Sequence, residues 1–230
     1  MPQHIGIVGV SAEGAALCYR TICLEGERYL GPYDHPEVSM HTHSLGEYMK
    51  CIVRNDWTAV ARLMLSSADK LAKAGARFLI CPDNTVHEAF ALVEAHSPLP
   101  WIHIADVVAD EAIARKLHRL GLTGTKWLVE SDVYPERLKP RGVEYIRPTA
   151  GERDEINRII FDKLAYGVTN ASAVVSFQRV IARMKDDGCD AVVLACTEIP
   201  LLMSDANSPL PTLDSTRLLA RAALQRALQV

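Results

Sequence analysis

No two cysteines in this 230-residue chain are spaced as CxxC, although it carries six: Cys18, Cys23, Cys51, Cys81, Cys189 and Cys196. Zinc-ligand and dithiol redox spacings are therefore missing, and the chain is too long to resemble a disulfide-dense secreted scaffold. A reducing cytoplasm is the expected setting. An excess of one charge is lacking too: 25 basic against 28 acidic residues leave a net charge of -3. That gives no broad attraction for nucleic acid. No run approaches the roughly 18 apolar residues that span a membrane. The opening "MPQHIGIVGVSAEGAALCYRTICLEGE" has neither a basic start nor an unbroken apolar segment, so no export is expected. Small molecules are the expected partners, with no nucleic acid and no membrane. Low-complexity linkers are also absent, so any lobes must be joined by short crossings.

What is present is apolar: 49% of the residues, enough for one substantial core or two half-sized ones. Short apolar runs recur at "HIGIVGV", "EVSMHTH", "RFLIC", "LPWIHIAD", "KWLVE", "VEYIR", "AVVLAC" and "LPTLD". Longer segments of helical periodicity separate them, which argues for parallel α/β architecture. One predicted helix is "DWTAVARLMLSSADKLAKAGA", with a stripe of Trp57, Val60, Leu63, Leu71 and Ala74 and a stop at Gly75. Another is "DEINRIIFDKLAYG", closing at Gly167.

An internal echo organises the chain. "RFLICPDNTVHEAFALVEAHSPLPWIHIAD" runs strand, polar turn, helix, then Ser97-Pro98-Leu99-Pro100 and Asp106. "DAVVLACTEIPLLMSDANSPLPTLD" repeats the order, ending in Ser208-Pro209-Leu210-Pro211 and Asp214. A duplicated unit with two lobes is the economical explanation. The crossings fall near 106 and 208, so residues 1–105 with 209–230 form one lobe and 106–208 the other. Overlaying the halves sets Asp83 against Cys196. Each follows the carboxyl end of a strand and precedes a helix, where open α/β sheets bind ligands.

The residue types in those turns suit proton chemistry. In "LACTEIP", amides and hydroxyls at a helix start would bind an anion, and the positive end of the helix would favour a Cys196 thiolate. The alternative is a small buried apolar cysteine. In the first turn Asn84 and Thr85 offer a similar cradle, with His87 one turn beyond Asp83. Asp83 would equally serve as a helix N-cap, and His87 as a packed or capping side chain. "GIVGVSAEG" has glycines at 6, 9 and 14, which does not fit GxGxxG; Gly9, Val10 and Ser11 would still line a carboxylate site. His41 and His43 alternate onto one face of a strand, with His35 nearby, and no further metal ligand is indicated.

Taken together, "DNTVH" (83–87), "LPWIHIAD" (99–106), "GLTGTKWLVESDVYPERL" (121–138), "INRIIFDKLAYG" (156–167) and "CTEIPLL" (196–202) resemble the aspartate/glutamate racemase superfamily. The resemblance covers nearly the whole chain. It implies two similar α/β lobes, each a short, mainly parallel sheet flanked by helices, related by pseudo-twofold symmetry with the active site between them. It further implies a homodimer and racemisation of aspartate, glutamate or a relative without pyridoxal phosphate or metal. Two cysteines in such enzymes take and return the α-proton; Cys196 matches the second, and Asp83 stands where the family has the first. Ser11, Asn84, Thr85 and Thr197 would hold the α-carboxylate, with Glu198 and His87 positioning substrate or tuning the two bases. A carboxylate is a poor proton donor at neutral pH unless its surroundings raise its pKa. Cys81, two residues earlier, is the alternative base. A one-cysteine lyase, decarboxylase or isomerase using Cys196 alone, or a binding protein without turnover, fits the same frame. The family's Gly-Gly-Met reads Gly9-Val10-Ser11 here, its Asp-Phe is replaced around Leu45-Gly46, and its lysine in "IIFDKLAYG" is Tyr166. The specificity of the pocket is therefore not carried over.

Overall fold

A computed structural model describes residues 1–229 and divides the chain into two compact units. The first takes in Met1–Val107 and the chain from Thr216 onward, and the second Val108–Ser215. Unit one opens with β1 (Ile5–Gly9), α1 (Ala12–Leu30), β2 (Val38–Thr42), α2 (Leu45–Ile52) and α3 (Trp57–Lys73). It continues through β3 (Phe78–Ile80), a 3-10 turn (Thr85–Ala89), α4 (Phe90–Glu94) and β4 (Trp101–Ile102). All strands pair in parallel in the order β2-β1-β3-β4. Every residue of β1 and β3 is buried, as expected of central strands covered on both faces.

Helix α3 shows how local chemistry sets these elements. Asp56 caps it by accepting the Ala59 N–H at 2.9 Å, and Gly75 ends the segment with a φ of +100° that a side chain would disfavour. The buried stripe is Val60, Ala61, Met64, Ser67, Ala68 and Leu71. It is turned slightly from the expected one: Ala74 is exposed, and Met64 and Ser67 point inward instead.

Helix α5 (Ile104–Ala114) crosses into unit two, which holds β5 (Arg119–Thr123), α6 (Lys126–Glu130), α7 (Pro135–Leu138) and β6 (Glu144–Ile146). Then follow α8 (Ala150–Asp162), α9 (Ala171–Asp186), β7 (Ala191–Leu194) and β8 (Thr212–Asp214). The sheet is again fully parallel, in the order β6-β5-β7-β8. This is the order of the first sheet element for element, so the echo in the sequence is an echo in topology. Two expectations are corrected. "KWLVE" is the helix α6, not a strand, because Thr125 caps it by accepting the Leu128 N–H at 3.3 Å. The strand is the preceding "RLGLT", where Gly121 leaves room for Met184: a Cβ there would lie 2.5 Å from the sulfur. Residues 212–214, placed by the sequence in the first lobe, pair with β7 in the second sheet.

Helix α8 starts earlier than its apolar pattern. Thr149 and Glu152 form a capping box, and Glu152 also takes a bidentate pair from Arg183 of α9, at 2.7 and 2.8 Å. The chain returns to unit one as α10 (Ser215–Leu228), whose Leu219, Ala220, Ala223 and Ala227 join Ile5, Ile7, Cys18 and Ile22 in that unit's core.

Candidate active site

In unit one, the carboxyl ends of the neighbouring strands β1 and β3 carry Ser11 and the turn "CPDNT". Ser11 is buried and caps α1 by accepting the Gly14 N–H at 3.2 Å. Asp83 caps the next turn: Oδ1 accepts the Val86 N–H at 3.2 Å, and its carbonyl accepts from His87 Nδ1–H at 2.7 Å. The cap reading of Asp83 is thus realised by the bond from Val86. Asn84, Thr85 and His87 are all buried against this turn. His87 stacks on Phe90 and meets the edge of His103 at 4.6 Å between ring centres. His103 Nδ1 accepts the Ala105 N–H, which leaves its other nitrogen as the donor.

Cys81 directly follows β3 and is fully buried. Burial pushes its thiol well up, and the Asp83 carboxylate pushes in the same direction, partly offset by the Asp83 N–H. Such a group stays protonated, which argues against Cys81 as the base.

In unit two, Cys196, Thr197 and Glu198 stand in the turn after β7, all buried. The Cys196 thiol donates to Glu198 Oε2 at 3.0 Å, and the Thr197 hydroxyl donates to the same oxygen at 3.0 Å. This differs from the expected source of reactivity. Only a three-residue 3-10 turn, Ile199–Leu201, follows the cysteine, too short for a helix dipole to sustain a standing thiolate. The sulfur instead holds its proton against a buried carboxylate that is placed to receive it.

The frame of that turn is backbone. Ala195 N–H donates to the Thr123 carbonyl at 3.0 Å, Thr123 Oγ1 to the Val193 carbonyl at 2.7 Å, and Ser215 Oγ to the Leu194 carbonyl at 2.9 Å. Gly124 is the residue that sequence reasoning missed: a Cβ there would lie 2.9 Å from the Ala195 carbonyl oxygen, so only glycine lets β5 and the cysteine turn approach. Its signal was the second glycine of "GLTGT". Tyr134, fully buried, has its hydroxyl pushed far up by burial, with a counteracting hydrogen bond from Ser215.

The histidines considered for a metal are otherwise engaged. His35 Nδ1 donates to the Pro36 carbonyl, His41 Nδ1 lies 2.9 Å from Ser67 Oγ and His43 Nε2 3.1 Å from Ser66 Oγ. Among the described residues no three His, Cys, Asp or Glu side chains are grouped to hold an ion.

Known proteins resemble this chain over nearly its whole length. The Asp/Glu/Hydantoin racemase family model covers residues 7–223. Over 191 residues the chain is 22% identical to the broad specificity amino-acid racemase RacX of Bacillus subtilis (strain 168), spanning 83% of this chain and 82% of that protein. The crystal structure of a candidate Asp/Glu racemase from Yersinia pestis shares 30% identity at a TM-score of 0.89, covering 99% of this chain and 100% of that one. An aspartate racemase homologue from Pyrococcus horikoshii OT3 shares 27% at 0.84, with the same coverage. With the match running over nearly its whole length, the chain belongs to the Asp/Glu/Hydantoin racemase family of isomerases.

Proposed function

We propose that this enzyme inverts the α-carbon of an amino acid, aspartate, glutamate or a relative, without a cofactor, using Cys196 and Asp83. The observation that carries the reading is the Cys196–Glu198 pair: a buried thiol 3.0 Å from a carboxylate, in the turn after β7. When the thiol proton passes to Glu198, the sulfur is a base for an α-proton. Inversion requires that the proton return to the other face of the carbanion, so a second group is needed. Asp83 stands in the turn after β3, the strand of the first sheet equivalent to β7 in the second.

Ser11, Asn84, Thr85 and Thr197 provide hydroxyl and amide groups for the α-carboxylate, whose hydrogen bonds strengthen as charge develops on it. His87 holds the Asp83 turn through its backbone carbonyl. A homodimer belongs to the same reading, and light scattering tests it.

The cap bond from Val86 to Asp83 supports a second reading, in which Cys196 alone moves a proton in a lyase, decarboxylase or isomerase and Asp83 only shapes the turn. Exchange of the α-proton in deuterium oxide separates the two, with L- and D-aspartate, glutamate and a wider amino-acid panel. Exchange with inversion that falls roughly 10²–10⁴-fold in both Asp83→Asn and Cys196→Ser is expected. Full activity of Asp83→Asn removes Asp83 as a base.

A further inference from the structure

The two sheets repeat each other residue for residue around their central strands, and where they differ the difference falls on the cysteine turn. Gly6-Ile7-Val8-Gly9-Val10, through the end of β1, matches Gly121-Leu122-Thr123-Gly124-Thr125, through the end of β5. Neither first glycine has room for a Cβ, which would lie 2.5 Å from a Leu79 methyl at Gly6 and 2.5 Å from the Met184 sulfur at Gly121. The ladders agree as well: Ile7 pairs with Ile80 and Ile80 with Ile102, as Leu122 pairs with Val193 and Val193 with Leu213. The residues beyond these pairs then match Val8 with Thr123, Pro82 with Ala195, Asp83 with Cys196, and Ile104 with Ser215.

At three of those places the second sheet uses a donor that its counterpart does not possess. Ala195 N–H donates to the Thr123 carbonyl at 3.0 Å, whereas Pro82 has no N–H. The Thr123 hydroxyl donates to the Val193 carbonyl at 2.7 Å, and the side chain of Val8 is hydrocarbon. The Ser215 hydroxyl donates to the Leu194 carbonyl at 2.9 Å, and Ile104 is hydrocarbon too. Thr123, Ser215, Val8 and Ile104 are all 0% exposed. One sheet is thus built with apolar side chains at both places, while a buried hydroxyl costs desolvation. The two hydroxyls therefore serve something other than the fold. Val193 and Leu194 are the last two residues of β7, and Cys196 lies two residues further on. Only a three-residue 3-10 turn follows the cysteine segment, so the strand end is its firm anchor.

We propose that Thr123 and Ser215 are positioning residues for Cys196: two hydroxyls, one from β5 and one from the residue that follows β8, that grip the last two carbonyls of β7 and hold the Cys196 thiol on the Glu198 carboxylate. The thiol meets Glu198 Oε2 at 3.0 Å within this turn. A misplacement of about 1 Å in a reacting group costs on the order of 10²-fold in rate, which makes the anchoring of β7 a catalytic matter.

This rests on Cys196 as a proton-transfer group, and the experiment keeps the two apart by reading the sulfur directly. Infrared absorption of the S–H stretch reports the Cys196–Glu198 hydrogen bond, the Cys196 band being the one lost in Cys196→Ser. In Thr123→Val and in Ser215→Ala the band should move to higher wavenumber and broaden as the bond weakens. Thr123→Ser, which keeps the hydroxyl, should leave it in place. In the α-proton exchange assay kcat should fall roughly 10-fold in each of the first two variants with KM little changed, and Thr123→Ser should restore it. Thr123→Val supplies the side chain that Val8 supplies in the matched strand, so its melting temperature should stay within about 4 °C of wild type. Should Ser215→Ala not fold, Thr123→Val decides alone. A wild-type S–H band or a wild-type kcat in Thr123→Val, or a loss that Thr123→Ser shares, overturns the proposal. If the wild type exchanges no α-proton, the racemase reading fails, while the S–H band still decides the role of the two hydroxyls.

Discussion

A carboxylate next to a cysteine has two possible uses, and Glu198 separates them at the scale of one residue. Its Oε2 receives both the Cys196 thiol and the Thr197 hydroxyl, so the geometry assigns it to the sulfur before any substrate arrives. Glu198→Gln keeps an acceptor oxygen but cannot take a proton. We expect kcat to fall roughly 10²-fold with KM little changed, and Glu198→Asp to recover part of the loss. A raised KM at constant kcat would assign Glu198 to substrate binding instead. The position was legible in "CTE", but its partner was not. A two-residue spacing does not say whether a side chain folds back on its neighbour or reaches outward. The same limit applied to Asp83, whose cap and acid/base readings stayed open in sequence, and of which the fold displays the cap.

At the scale of elements, β7 depends on a bond made before it begins. Asp190 Oδ2 accepts the backbone N–H groups of His118 and Arg119, at 2.6 and 2.9 Å, and so joins the entry of β7 to the entry of β5. The His118 N–H, then the Arg119 N–H, hold this carboxyl below the usual range. A pKa depressed by folding gives stability that is complete above the unfolded value and is lost as pH falls through the folded one. Asp190→Asn should therefore melt a few degrees below wild type at neutral pH, with the gap closing as pH drops below about 4. Calorimetry across that range measures it; a gap constant with pH would mean that the carboxylate charge is irrelevant. Sequence patterning found most of these strands by their apolar runs and misplaced β5, since "KWLVE" is as apolar as "RLGLT". The decision came from the Thr125 cap and from Met184 filling the space over Gly121.

Across the whole molecule, the chain leaves unit one at α5 and comes back as α10. The return is held by Leu219, Ala220, Ala223 and Ala227 in the core, by Gln3 N–H donating to the Ala227 carbonyl at 2.8 Å, and by a bidentate Arg221–Glu25 pair. The ion pair is partly exposed and contributes at most about 1 kcal/mol; the apolar seam contributes more. Leu219→Ala should cost roughly 2–4 kcal/mol in urea unfolding. Hydrogen exchange should show the loss in β1 and β3, on which that seam rests. Equal loss of protection in β5 and β7 would show that the two units unfold as one.

The sequence by itself determined the α/β class, the repeated unit and the two turns that carry Asp83 and Cys196, because each depends on local order: apolar runs, turn residues and spacing. Tertiary structure decided the partners. Whether Cys196 meets a helix dipole or a carboxylate depends on how its own turn folds back, and the meeting of His41 on β2 with Ser67 on α3 depends on side chains brought together from different elements. Packing sets those meetings, and no local pattern encodes them.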